Sequence, residues 1–108
     1  PTCTRSPSDV EVNVYNATNR DGLAAQVARQ LKARGFTVKT VANDPKKVTV
    51  EGAGQLRYGR AGKPDADFVA GHTGPLRKLQ DSRTRTTVDI VLGPDFERLV
   101  RSSDVTAC

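Results

Sequence analysis

Residues 10–35, VEVNVYNATNRDGLAAQVARQLKARG, decide how the rest of the chain is read. Val10, Val12 and Val14 alternate with Glu11, Asn13 and Tyr15, the period-2 pattern of a strand with one buried face. The run Asn16-Ala17-Thr18-Asn19-Arg20 is rich in side chains that bond nearby backbone, so the chain is expected to reverse there. From Asp21 the period changes. Leu23, Val27 and Leu31 recur every four residues with Ala24 and Ala28 beside them, while Gln26, Arg29, Gln30, Lys32 and Arg34 fall on the flanks and far side. The pattern predicts an amphipathic helix, capped by Asn19 or Asp21 and closed by Gly35.

Moving outward, Phe36–Ala42 (FTVKTVA) reads as a second strand, which makes a βαβ unit with parallel pairing and a right-handed crossover. Asn43-Asp44-Pro45 is a turn, and Val48–Val50 is either a short edge strand or an extended loop. Gln55–Tyr58 is expected to be a third strand. A helix follows from Pro64, with Ala66, Phe68, Val69 and Ala70 as its apolar face and Gly71 as its stop. Leu76–Leu79 fits a strand or a helical turn equally well. Thr86–Leu92 reads as a strand with Val88, Ile90 and Leu92 on one face, and Asp95–Arg101 as a helical turn. The order is β-α-β, β-α-β with additions, an α/β fold: a two-layer α/β sandwich of a small mixed sheet and two main helices.

With 108 residues the chain makes one domain with a modest core. Its hydrophobic fraction of 36% includes no Met or Trp, so Val, Leu, Ala and three Phe must fill that core. A charged fraction of 27% is ordinary for a globular chain, and the net charge of +5 favours anionic partners. Residues 1–9 are expected to be a linker following a missing signal peptide or membrane anchor, 10–101 the domain, and 102–108 a tail. Cys3 and Cys108 stand at opposite ends, with no CxxC and a single His, which argues against a metal site. Termini of compact domains often lie close together, so a Cys3–Cys108 disulfide is expected. Closing so long a loop restricts the unfolded chain by up to ~4.7 kcal/mol, and the bond implies an oxidising compartment. The alternative is two free terminal thiols in a reducing one.

Three motifs in order resemble the LytR C-terminal domain family. Residues 12–38 follow its "V-x-V-x-N-x-T-x-x-x-G-L-A" strand and turn and its helix ending in "GF-x-V", with Asn16, Thr18, Gly22, Leu23, Ala24, Gly35 and Phe36 in the matching places. LRYGR at Leu56–Arg60 is similar to the family's "V-R-Y-G" strand, and DIVLGPDF at Asp89–Phe96 to its closing motif. The stretch at Val48–Gly54 and the basic Arg77–Arg85 depart from that pattern. In the family this domain trails the catalytic domain of LytR-CpsA-Psr proteins, which attach phosphate-linked glycopolymers to peptidoglycan. It also occurs alone behind one membrane anchor in actinobacterial proteins such as the mycobacterial envelope-integrity proteins. These residues hold no match to that catalytic domain, so the resemblance implies the solitary form: a noncatalytic, extracytoplasmic, membrane-anchored module supporting cell-envelope integrity. Its partners would be a cell-wall polymer, an envelope lipid or an envelope protein.

The residues themselves show no nucleophile with a base, no Walker loop and no GxSxG, and no cofactor is expected. His72, in a Gly-His-Thr-Gly loop, has no visible partner and is expected to be inert. The β1–α1 turn is the better candidate. Asn16, Thr18 and Asn19 flank a helix N-terminus, an anion-binding feature, and Arg20 adds full charge. The competing reading is that Asn16 and Thr18 fix the turn. Arg57, Tyr58, Arg60 and Lys63 surround a second Gly-rich turn at a helix start. If the two turns lie side by side, they build one basic cleft. A glycan binder similar to SPOR domains is a second reading, though their aromatic glycan-binding strands match poorly. Cytosolic nucleic-acid binding is a third, disfavoured by two Tyr and three Phe assigned largely to the core.

Overall fold

The computed structural model describes residues 6–46 and 48–105. The expected Cys3–Cys108 bridge lies outside the described residues. Five strands, β1 (Glu11–Asn16), β2 (Thr37–Asn43), β3 (Gly54–Gly59), β4 (Arg77–Asp81) and β5 (Val88–Leu92), form one sheet in the order β2-β1-β5-β3-β4. The helices are α1 (Leu23–Ala33) and α2 (Lys63–Thr73). Two parallel βαβ units, β1-α1-β2 and β3-α2-β4, are joined by β5, which runs parallel to β1 and antiparallel to β3. The two units therefore point in opposite directions.

Side-chain alternation divides the sheet into two unlike faces. Val12, Val14, Val88, Ile90, Leu92 and Leu56 are fully buried on the face the helices cover. Each such side chain contributes roughly 1.5–3 kcal/mol by leaving water. Against them α1 sets Leu23, Val27 and Leu31, and α2 sets Ala66, Phe68 and Val69. The other face carries Asn13, Tyr15, Asp89, Val91, Arg57 and Asp81; among the described residues no helix packs on it, although Val91, Arg57 and Asp89 are buried.

α1 ends as expected. Phe36 N–H bonds Leu31 O at 3.1 Å and Gly35 N–H bonds Lys32 O at 2.9 Å, with Gly35 at φ 101, the paired bonds of a Schellman cap. Its start differs: Gly22 at φ 80 takes the N-cap position, and neither Asn19 nor Asp21 caps it.

Two further expectations, the end of α2 and the helical turn at 95–101, are corrected, and two open readings are decided. α2 runs through Gly71 to Thr73 and stops at Gly74, whose φ is 82 and whose N–H returns to Ala70 O at 3.0 Å. His72 is thus a helix residue, 7% exposed, packed edge-on against Phe36 with ring centres 4.9 Å apart. Of Leu76–Leu79, the residues from Arg77 on belong to the edge strand β4 and Leu76 precedes it, while Val48–Val50 lie outside any strand. Residues 95–101 form no α-helix. The bond a helical turn would need, Val100 N–H to Phe96 O, is replaced at both ends. Arg20 Nη1 donates to Phe96 O at 2.6 Å, and Val100 N–H donates to His72 O at 2.8 Å. Phe96 and Leu99 still pack into the core.

Candidate functional site

Because β1 and β3 run in opposite directions, the two βα turns lie at opposite ends of the sheet, and the single basic cleft does not form. At the first turn, Asn16 Nδ2 donates to Arg20 O at 2.8 Å, and Asn16 Oδ1 accepts from Thr18 N–H at 2.9 Å and from Thr18 Oγ1 at 2.6 Å. Thr18 Oγ1 in turn accepts from Arg20 N–H at 3.0 Å. Asn16 and Thr18 are occupied in folding the turn, and Arg20 reaches away to the C-terminal segment. The hollow beside them, about 500 Å³, is lined by Asn16, Thr18, Asn19, Asp21, Asn43 and Asp44, with no lysine or arginine among the described residues.

The second group is dispersed. Arg57 forms a bidentate pair with Asp44, Nη1 to Oδ1 at 2.7 Å and Nη2 to Oδ2 at 3.0 Å, and both side chains are 4% exposed. Burial, the largest single effect, pushes the Asp44 carboxyl up, but the Arg57 hydrogen bonds, the Lys46 N–H and the charges of Arg57 and Lys46 together outweigh it and hold it below its ordinary range. The bond from Asp44 N–H to Asn16 O, 3.0 Å, starts the chain across the ends of β1 and β5 toward β3. Tyr58 is buried in the core cluster. Arg60 is exposed at the opposite end, and Lys63 begins α2, 3.9 Å from Asp67.

The sheet face away from the helices holds a larger feature: an open trough of about 1030 Å³. Its floor is Asn13, Tyr15 and Asp89; one rim is Lys39, Thr40 and Lys46, the other the β4–β5 loop, 82–87. Arg83 shapes that loop. It donates from Nε and Nη2 to Asp81 at 2.8 and 2.7 Å, from Nη2 to Asp89 Oδ2 at 2.8 Å, and from Nη1 to Thr87 O at 3.1 Å. Asp89 Oδ1 accepts from Asn13 Nδ2 at 2.9 Å, so the network runs from the loop to β1. The hydrogen bond from Arg83 holds Asp81 below the ordinary carboxylate range, and burial with the Asp89 charge pushes the Tyr15 hydroxyl up, keeping it a neutral phenol. Gly59 and Gly62 admit the loop: a Cβ on Gly59 would lie 2.1 Å from Arg83 O, and one on Gly62 2.8 Å from Thr86 O. These glycines serve close backbone packing.

Sequence reasoning placed Tyr15 and Asp89 correctly on the non-core face of their strands but attached no site to them. The basic stretch Arg77–Arg85 was the available signal. No group of three or more His, Cys, Asp or Glu side chains suited to a metal occurs among the described residues.

Over 103 residues the chain is 39% identical to the "Cell envelope integrity protein Cei" of Mycobacterium tuberculosis, a match covering 93% of this chain and 47% of that protein. The chain thus spans about half the length of that curated relative. Its fold is shared with the crystal structure of the soluble domain of a conserved hypothetical secreted protein from Mycobacterium marinum. That likeness has a TM-score of 0.84 and 37% sequence identity, over 93% of this chain and 69% of the other. A profile of the family described as "LytR cell envelope-related transcriptional attenuator" matches residues 9–96, which takes in both βαβ units and β5. This chain belongs to the LytR_C family.

Proposed function

We propose that this chain is a noncatalytic, extracytoplasmic domain that supports cell-envelope integrity by binding a wall component through the sheet face away from its helices. The observation that carries this reading is the trough: a polar, preformed surface on the face that no helix covers, shaped by a charged network. The envelope setting is supported by the names of the relatives, an envelope integrity protein and a secreted protein. Binding in place of catalysis is supported by the chemistry of the titratable groups. His72 is buried against Phe36 and Phe68, and Asp44, Asp81 and Asp89 are each taken up by an arginine. A membrane anchor in the full protein and an envelope protein as alternative partner belong to the same proposal. Nucleic acid is disfavoured by the carboxylates on the trough floor and loop. The test is retention of the purified domain on isolated cell-wall material and on envelope lipids at low salt. Retention on the wall is expected, and no retention on either overturns the reading.

A further inference from the structure

The lining of the trough restricts what it can hold. Four cations (Lys39, Lys46, Arg83, Arg85) face three carboxylates (Glu11, Asp81, Asp89), leaving one net positive charge. Most of these charges are already paired. Lys39 lies 3.5 Å from Glu11, and Arg83 joins Asp81 and Asp89. Only Lys46 and Arg85, on opposite rims, form no salt bridge among the described trough residues, although the Lys46 charge still acts on Asp81. With Glu11 paired to Lys39 and with Asp81 and Asp89 sharing Arg83, a densely charged polyanion would meet only one net positive charge, little to hold it. The surface suits a ligand rich in hydroxyl and amide groups with at most sparse negative charge.

The uncharged groups point the same way. Asn13 Nδ2 is fixed on Asp89, which orients the amide so that its own oxygen is a positioned acceptor with no partner among the described residues. Tyr15, two residues along β1, offers a half-buried ring and a neutral hydroxyl, likewise without a described partner. Thr40, Ser82, Thr84, Thr86 and Thr87 add hydroxyls along both walls. The lining residues Glu11, Asn13 and Tyr15 run about 13 Å along β1 at roughly 3.3 Å per residue, longer than a single sugar ring. Aromatic ring, planar amide and hydroxyl-lined walls along a linear track are the groups that contact the apolar faces and hydroxyls of a sugar chain.

We infer that the trough between Lys39 and the 82–87 loop is a binding site for a linear glycan, with Tyr15 as its platform and Asn13 as its oriented acceptor. The inference rests on the binding role proposed above and names the ligand class. To test it, the isotope-labelled domain is titrated with peptidoglycan glycan strands freed of stem peptides, with polyphosphate as comparison. Amide shifts should concentrate at Asn13, Tyr15, Thr40 and residues 84–87. Tyr15→Ala should weaken the complex about tenfold or more, as loss of an aromatic anchor does. Thr86→Trp, on the exposed wall, should block binding with an unchanged circular-dichroism melt, keeping the test valid should Tyr15→Ala misfold. Shifts elsewhere, tighter binding of polyphosphate, or no binding of the stripped strands overturns the inference. If whole wall material still retains the domain while stripped strands do not bind, the glycan site fails and the binding role stands. Loss of retention on wall and lipid alike overturns both.

Discussion

Replacing Asp44 with Ala probes the contact that ties the two βαβ units across the sheet. Asp44 follows β2, Arg57 lies on β3, and the pair closes bidentately at 2.7 and 3.0 Å with both side chains 4% exposed. Removing the carboxylate strands a buried guanidinium, which typically costs about 3–5 kcal/mol. It also frees Lys46 N–H, which donates to Asp44 Oδ1 at 3.2 Å. At about 4 °C per kcal/mol for a domain of this size, Tm should fall by at least about 12 °C. Urea titration of wild type, Asp44→Leu, Arg57→Met and the double variant Asp44→Leu/Arg57→Met gives the coupling, with Asp44→Ala measured beside them. The paired apolar replacement should recover most of the loss, because replacing both partners of a buried ion pair is often neutral. The pH dependence has a defined sign. The folded Asp44 value lies below the unfolded one, so its contribution is full above about 3.8 and is lost as pH falls through the folded value. A cost for Asp44→Ala below about 1 kcal/mol, the scale of an exposed pair, would refute the reasoning.

His72 is the only histidine, and burial together with the nearby Arg34 charge holds its pKa below the ordinary value. Its neutral ring, with Nδ1 3.0 Å from Arg34 Nη1, makes stability full above about pH 6.5 and declining as pH falls below that value. The urea midpoint should therefore drop between pH 7 and pH 5.5, and His72→Phe should flatten that slope; an equal slope in both proteins contradicts it. Gly59→Ala should cost about 1–3 kcal/mol and displace the trough wall, since its Cβ would meet Arg83 O at 2.1 Å. An unchanged urea midpoint would mean the loop yields freely.

Much of the architecture is legible where one periodicity dominates. β1 and α1 follow from the valine alternation, the four-residue leucine and valine recurrence, and Gly35, whereas β2 alternates imperfectly and lies largely exposed. Legibility fails where a local signal competes with a distant partner. Gly71 looks like a helix stop, yet Phe68 and His72 pack on Phe36 and carry α2 past it. β4 shows no clean alternation because it is an edge strand whose residues are largely exposed on both faces. The spacing of Phe96, Leu99 and Val100 mimics a helix, but Arg20 and His72 take the backbone groups that a helix would use. The site was less visible still. Arg57 reads as a surface cation until Asp44 is brought to it, and Asp89 as a strand-surface charge until Arg83 and Asn13 converge on it. Those pairings depend on sheet order, and nothing local in the sequence encodes that β5 lies between β1 and β3.

The most direct test of the binding account compares two charge reversals of equal size. Lys46→Glu with Arg85→Glu alters the trough rims, whereas Arg29→Glu with Lys32→Glu alters the exposed side of α1. Both change the net charge by the same amount, so general attraction to an anionic wall is matched. Retention on isolated cell-wall material at low salt should fall about tenfold for the trough pair, as expected when two interface cations are inverted, and little for the helix pair. Equal losses for the two pairs, or a larger loss for the helix pair, would contradict binding through the sheet face away from the helices.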